Sequence, residues 1–173
     1  MSPPQPAYAL AAPLDQAHDI AGFACGAPAL DIWLQRHALN NELAGGSRTY
    51  VVAAAQTVVG SYSLAAGSVG KEVATGRVRR NMPDPVPAIL LGHLAVDHRA
   101  QGQGQGLGGF MLRDASLRIV QASATISVRA LLAHAIDDAA KTFYEARGFH
   151  PAAVDPLTLM ITVAEAERSI RRR

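Results

Sequence analysis

The chain has 173 residues, 49% of them apolar and 17% charged, which is long enough to bury one core and too apolar for a disordered polymer. A single cysteine, Cys25, excludes an internal disulfide framework and any cysteine-based zinc cluster. The formal charge is only +2, yet arginine outnumbers lysine fourteen to two and is bunched in "RVRR" (77–80) and "RSIRRR" (168–173). Guanidinium groups grip phosphate bidentately, so the bias leans toward phosphate-bearing partners, against the plainer reading of a solvated C-terminal tail.

The N-terminal "MSPPQPAYAL" lacks the basic and apolar regions of a signal peptide, and no apolar run reaches about 18 residues, so a cytoplasmic protein without a membrane span is expected. Residues 1–7 and 165–173 read as flexible tails of a single domain. "YALAAPL" (8–14) can begin an edge strand, and Ala29, Leu30, Trp33, Leu34 and His37 predict a helix over 26–43, with Pro28 in its first turn and "GG" at 45–46 ending it. "SRTYVVAAA" (47–55) and "TVVGSYSLAAGSV" (57–69) read as strands joined by a tight turn. "RRNMPDPVP" (79–87), with three prolines in five residues, reads as an extended crossing loop. "AILLGHLAVD" (88–97) is a near-continuous apolar run, the mark of a central strand buried on both faces. A glycine loop and a helix to about Ala122 follow, then a strand over 127–136. A short helix over 137–148 has Asp137 or Asp138 as N-cap and Gly148 as its stop, and a last strand spans 157–163. The order is β-α-β-β, crossing loop, β-α-β-α-β, an α/β domain with a mixed sheet.

The segment "QGQGQGLGG" (101–109) holds five glycines in nine positions between a buried strand and a helix. Glycine lets an anion approach the main chain without meeting a Cβ, and the unpaired N–H groups and positive dipole end of a helix favour phosphate. A P-loop needs Lys and then Ser or Thr after its last glycine, but Gly109 and Phe110 follow Gly108. A dinucleotide fingerprint is formally met by Gly104, Gly106 and Gly109, but "VRALL" stands where an acidic residue should bind the ribose.

The segment resembles the coenzyme A loop of the GNAT acetyltransferases, Q/R-x-x-G-x-G/A. Two registers fit, starting at Gln101 or Gln103, and counting back from "LRDA" favours Gln103-Gly104-Gln105-Gly106-Leu107-Gly108, a two-residue lengthening after "LAVD". A second stretch, "HAIDDAAKTFYEARGF" (134–149), resembles the family's following strand and helix, whose tyrosine reaches the coenzyme sulfur; Tyr144 holds that position, and a core aromatic with its hydroxyl at the rim is the plainer reading. "FACGAPALDIWL" (23–34), "SRTYVV" (47–52), "LGHLAVD" (91–97) and "DPLTLMITV" (155–163) resemble the GNAT toxins of type II toxin–antitoxin modules, the TacT/AtaT-like group. The resemblance covers residues from about 15 to 163. It implies a mixed, mostly antiparallel sheet with splayed central strands and flanking helices. It also implies acetyl-CoA as co-substrate, the aminoacyl group of charged tRNA as acceptor, a ribbon-helix-helix antitoxin and a homodimer.

Carried onto this chain, the resemblance makes Tyr144 the general acid to the departing sulfur and the Val96 N–H the donor to the thioester oxygen. Leu94, Ala95, Val96, Gln101, Gln103, Gly104, Gln105, Gly106, Gly108, Ala139 and Phe143 would line the coenzyme. No strong base is evident; Asp97 and His98 stand nearest and either can simply cap the loop. An α-amine titrates at roughly 7.7–8.0, so it needs less help than a lysine. Arg36, Arg48, Arg77, Arg79 and Arg80 are candidates to track an RNA backbone, with sparse aromatics favouring backbone grip over base reading. The six histidines (18, 37, 93, 98, 134 and 150) show no ligand spacing, so no metal is expected. His93 reads as a satisfied core or rim group, Trp33 and Leu34 as core, and Cys25 as a thiol without a paired base. The competing functions are a GNAT enzyme acting on a small amine or a protein N-terminus, and a non-catalytic module that binds coenzyme A or RNA.

Overall fold

The computed structural model describes residues 10–102 and 106–172. Its strands are β1 (Ala12–Pro13), β2 (Arg48–Ala54), β3 (Thr57–Val69), β4 (Val86–Val96), β5 (Ala130–His134), β6 (His150–Pro151) and β7 (Thr158–Thr162). Among the described residues they form a sheet of order β1-β2-β3-β4-β5-β7-β6. The helices are α1 (Pro28–Arg36), α2 (Ala38–Ala44), α3 (Gly76–Arg79), α4 (Leu107–Ser123), α5 (Asp138–Glu145) and α6 (Val163–Arg171). The chain divides into two compact units, Met1–Ser63 with His93–Leu112 and Leu64–Gly92 with Arg113–Arg173. The elements β3, β4 and α4 run through both.

In the first unit β1 pairs antiparallel with β2, Ala12 opposite Val51. The core gathers Leu14, Phe23, Leu34, Ala38, Val51, Val58 and Ala95. The helix expected over 26–43 is broken at His37, whose φ of −120° lies outside the helical region. Its N–H still reaches Trp33 O and its own carbonyl accepts from Asn41 N, so the break is a kink, with Leu34 and Ala38 buried on either side. Gly60 on β3 lies under α4: a Cβ there would stand 2.8 Å from Met111 Sδ. The expected edge strand at 8–14 is only two residues long among those described.

In the second unit β4 pairs parallel with β5 from Ala88↔Ala130 to Leu91↔Ala133, and β7 lies antiparallel to both β5 and β6. Leu132, Met160, Val78, Val86 and Ala130 form its core. Asp137 is the N-cap of α5, its carboxylate accepting from Ala140 N at 2.8 Å, and Gly148 turns the chain away at φ +94°, a conformation that favours glycine. The expected crossing loop at 79–87 is shorter than read, because α3 precedes it and β4 already begins at Val86.

The C-terminal segment corrects the reading of a tail from residue 165. A capping box closes the start of α6: Thr162 Oγ1 accepts from Glu165 N at 3.1 Å while the Glu165 carboxylate accepts from Thr162 N at 3.0 Å. Ala166 is buried, so the helix is anchored by packing as well as by its cap.

Candidate active site

The first unit carries Leu94, Ala95 and Val96 at the end of β4, Gln101 just past the turn that follows, and Gly106 and Gly108 at the start of α4. Gln103, Gly104 and Gln105 lie outside the described residues. Asp97 N–H donates to Val59 O on β3 at 2.8 Å. Successive N–H groups of an extended strand point to opposite edges, so the Val96 N–H faces away from β3. Ala95 is buried in the core, so only its main chain is offered to a ligand.

Beyond Val96 the chain makes a 3-10 turn at His98–Ala100, and Asp97 is its strut. The buried Asp97 carboxylate accepts from Ala24 N at 3.0 Å, from Arg99 N at 2.9 Å and from the Arg99 guanidinium at 2.7 Å. The Arg99 hydrogen bond outweighs burial and lowers the Asp97 pKa to about 2. An acid so committed caps the loop and is a poor proton acceptor. Gln101 is a second strut: its Nε2 donates to Val96 O at 2.6 Å and to Cys25 O at 2.8 Å. An amide has two side-chain donors and both are used, so the expected contact from this side chain to phosphate has no N–H left to make it.

Gly106 opens α4 at φ +60°, and Phe110 N–H makes a helical bond back to its carbonyl at 2.9 Å. The N–H groups of Leu107, Gly108 and Gly109 precede that bond and have no acceptor within the helix. A Cβ built at Gly102 or Gly106 would meet nothing within 4 Å, so the main chain at these two positions is open to approach. Donors, dipole and open approach fit a pyrophosphate.

His93, within β4, adopts φ +55°, which costs a non-glycine residue roughly 1–2 kcal/mol. Its ring stacks on Trp33 with centroids 3.6 Å apart, and its Nδ1 lies 3.0 Å from Ser63 Oγ. Burial lowers its pKa, which favours the uncharged ring. It is thus a satisfied group, as the sequence suggested, though the backbone strain was invisible there. Burial also pushes the Cys25 thiol up to about 11, so it is not an activated nucleophile. Leu34 is core, while Trp33 is only partly buried.

The second unit carries Ala139, Phe143 and Tyr144 on α5. Ala139 is exposed on the first turn. Tyr144 is buried with its ring 5.3 Å from those of both Phe143 and Phe149. Its hydroxyl has no hydrogen-bond partner among the described residues, and burial raises its pKa to about 12. The phenol is therefore a held, protonated donor, packed like a core aromatic along its ring.

The arginines divide as well. In the first unit Arg36 is exposed at the end of α1, whereas Arg48 donates to Glu42 O at 3.0 Å and pairs with the Glu42 carboxylate at 3.4 Å. In the second unit Arg77 is paired with Glu165 at 2.6 Å, Arg79 reaches Lys71 O at 3.4 Å, and Arg80 is exposed. Arg168 and Arg172, from the bunch weighed above as a solvated tail, share a cavity with Arg77 and with Arg147, which the sequence did not single out; Glu165, Arg168, Ser169 and Arg172 line it from one helical face. Among the described residues no helix is long and apolar enough to cross a membrane.

A strand leading through a glycine turn to an open helix N-terminus, and a buried phenol on a capped helix, are the parts of an acyl-CoA N-acyltransferase. No protein-family model matches the chain. It is 48% identical over 157 residues, 91% of this chain and 93% of the other, to the tRNA-acetylating toxin of Mycobacterium tuberculosis. Among solved structures, AtaT complexed with acetyl-methionyl-tRNAfMet superimposes with a TM-score of 0.83 at 24% identity, over 94% of this chain and 98% of that one. A tyrosine-to-phenylalanine mutant of AtaT bound to acetyl-CoA and the C-terminus of the antitoxin AtaR gives a TM-score of 0.77 at 25% identity, over 94% and 97%. The chain belongs to the GNAT N-acetyltransferase toxins of toxin–antitoxin modules.

Proposed function

We propose that this chain acts as one cytoplasmic acetyltransferase domain that transfers acetyl from acetyl-CoA to the α-amine of an aminoacyl-tRNA and so blocks translation. The observation that carries the reading is the 48% identity, over 91% of the chain, to a tRNA-acetylating toxin. A homodimer and a ribbon-helix-helix antitoxin complete the reading; they rest on the family resemblance, and the complex of AtaT with the C-terminus of its antitoxin supports the second.

Acetyl-CoA supplies an activated thioester carbonyl. The main-chain N–H groups of Leu107, Gly108 and Gly109 hold its pyrophosphate, with Asp97 and Gln101 fixing the turn behind them. The Val96 N–H, aimed away from β3, stabilises the negative charge that grows on the thioester oxygen as the amine attacks. Tyr144 donates its proton to the departing sulfur. Its raised pKa keeps it protonated wherever an α-amine is neutral. With Asp97 held as a carboxylate of low pKa, the amine arrives already neutral and gives its proton to water. Arg36, Arg48, Arg77, Arg79 and Arg80 are assigned to the RNA backbone, Arg36 and Arg80 from exposed positions and Arg48 and Arg77 while paired with Glu42 and Glu165.

Purified aminoacyl-tRNAs presented singly with acetyl-CoA, and read by mass spectrometry, test this function. A mass gain of one acetyl group on the aminoacyl moiety is expected; acetylation only of free amines or protein N-termini, or none, overturns it.

A further inference from the structure

The two arginine bunches stand some ninety positions apart in the sequence, yet the second unit folds Arg77 of the first and Arg168 and Arg172 of the second around one cavity of about 540 Å³. Arg147 and Glu165 complete its charged lining. We propose that this cavity is a second RNA-backbone site, one that grips phosphates of the aminoacyl-tRNA through Arg147, Arg168 and Arg172 beside Arg77. The proposal rests on the reading of charged tRNA as the substrate and says where part of that substrate is held.

Three observations carry it. First, the guanidinium groups differ in commitment. Arg77 is held by Glu165 at 2.6 Å, and Arg147 is held by Phe143 O at 2.9 Å with its guanidinium 3.8 Å from the Phe143 ring centroid. Arg168 and Arg172 are exposed and have no hydrogen-bond or ion-pair partner among the described residues. The cavity therefore combines positioned donors with uncompensated charge, four arginines against a single glutamate. Second, α6 sorts its own arginines. Glu165, Arg168 and Arg172 fall on one face, while Arg171 is paired with Glu167 at 2.7 Å. Third, Arg147 follows Tyr144 by three residues, so a polyanion gripped there is tied to the element that carries the proposed acid.

The chemistry selects phosphate. All four cations are arginine, whose planar fork matches phosphate oxygens in pairs. A cavity of this size takes a nucleotide-sized segment, whereas one inorganic phosphate would leave most of it empty. A continuous RNA strand supplies several phosphates at once, and each contact adds to the salt dependence of binding.

The test compares Arg168→Gln with Arg171→Gln in the full chain, two changes of equal charge on the same helix. Binding of tRNA is followed by fluorescence anisotropy at several salt concentrations, beside acetyl-CoA affinity and thermal unfolding. Arg168→Gln should weaken tRNA binding about five- to tenfold and reduce the salt slope by about one. Arg171→Gln should change it less than twofold, and acetyl-CoA affinity and unfolding temperature should hold in both. Arg168→Lys, which keeps the charge, should recover part of the loss. Equal effects of the two Gln variants, or an unchanged tRNA affinity in Arg168→Gln, overturn the proposal. So does a loss confined to binding of polyglutamate, which would mark an acidic protein as the occupant. If Arg168→Gln weakens tRNA binding but the wild-type chain acetylates no charged tRNA, the cavity stands and the proposed reaction falls.

Discussion

The turn after β4 and the helix α5 are built on opposite plans. At the turn, the groups offered to a ligand are main-chain amides, and the side chains around them are struts: Asp97 is saturated by Ala24 and Arg99, and Gln101 by Val96 and Cys25. On α5, the group offered is a side chain, the phenol of Tyr144, held by ring packing and by no hydrogen bond among the described residues. Chemistry and structure are therefore separable on α5 and entangled at the turn. Substitution should remove function without stability in one region, and disturb both together in the other.

The sharpest break of that contrast is Tyr144→Phe. Losing a positioned acid should lower the single-turnover rate of acetyl transfer roughly 100- to 10,000-fold. Stability measured by urea should shift by no more than about 0.5 kcal/mol, because packing is kept. A large loss of stability would erase the distinction between the regions.

Asp97→Ala should do the reverse. It takes the acceptor from the part-buried N–H groups of Ala24 and Arg99 and should destabilise the fold by about 1–2 kcal/mol. The same carboxylate sets a pH signature. Its pKa is depressed from 3.8 to about 2 in the folded chain, so its contribution is full above about pH 4 and is lost as pH falls toward 2. Acid titration of urea stability should show that decline in the wild type and a flatter curve in the variant.

Gly106→Val tests the turn as a ligand surface. The added Cβ meets nothing within 4 Å, so the change is expected to act through φ +60° and through the lost open approach. We expect about 1–2 kcal/mol of destabilisation and about tenfold weaker acetyl-CoA binding by calorimetry, with Tyr144→Phe leaving that affinity within about twofold.

The smallest effect concerns alkaline pH. With Tyr144 at about 12 against an ordinary 10, its protonated state favours folding fully below about pH 10, and this contribution is lost only as pH rises through 12. The transfer rate should climb with amine deprotonation near roughly pH 7.7–8.0 and then stay level to about pH 10. A fall in rate before that point would mean that the acid is some other group.

Much of this was readable before folding. The glycine run, the apolar run of β4 and the Asp137 cap are local patterns, and each keeps its meaning wherever it is placed. Tyr144 was legible as a position on a short helix following a strand. Arg48, by contrast, looked as available as Arg168, and only the contact with Glu42 separates them. Gln101 looked like a phosphate ligand until its two donors were found on Val96 and Cys25 carbonyls. The contact of Gln101 with Cys25 spans 76 positions, and the shorter ones, to Val96 and from Arg48 to Glu42, cross a turn between elements, so no hydrophobic period records them.

By itself the amino-acid order determined most of the elements, because hydrophobic period, caps and glycine stops act within a turn or two of the chain; α3 and α6 stand outside that reading. It determined too that arginine, not lysine, would supply the cationic charge. Tertiary structure alone decided which polar groups are spent and which remain open. It held Asp97 as a carboxylate, strained His93, and brought Arg168 of α6 and Arg172 just beyond it to the same cavity as Arg77. The reason is that a hydrogen bond or an ion pair exists only when both partners have been brought within reach, and that reach is 73 positions from Ala24 to Asp97 and 88 from Arg77 to Glu165.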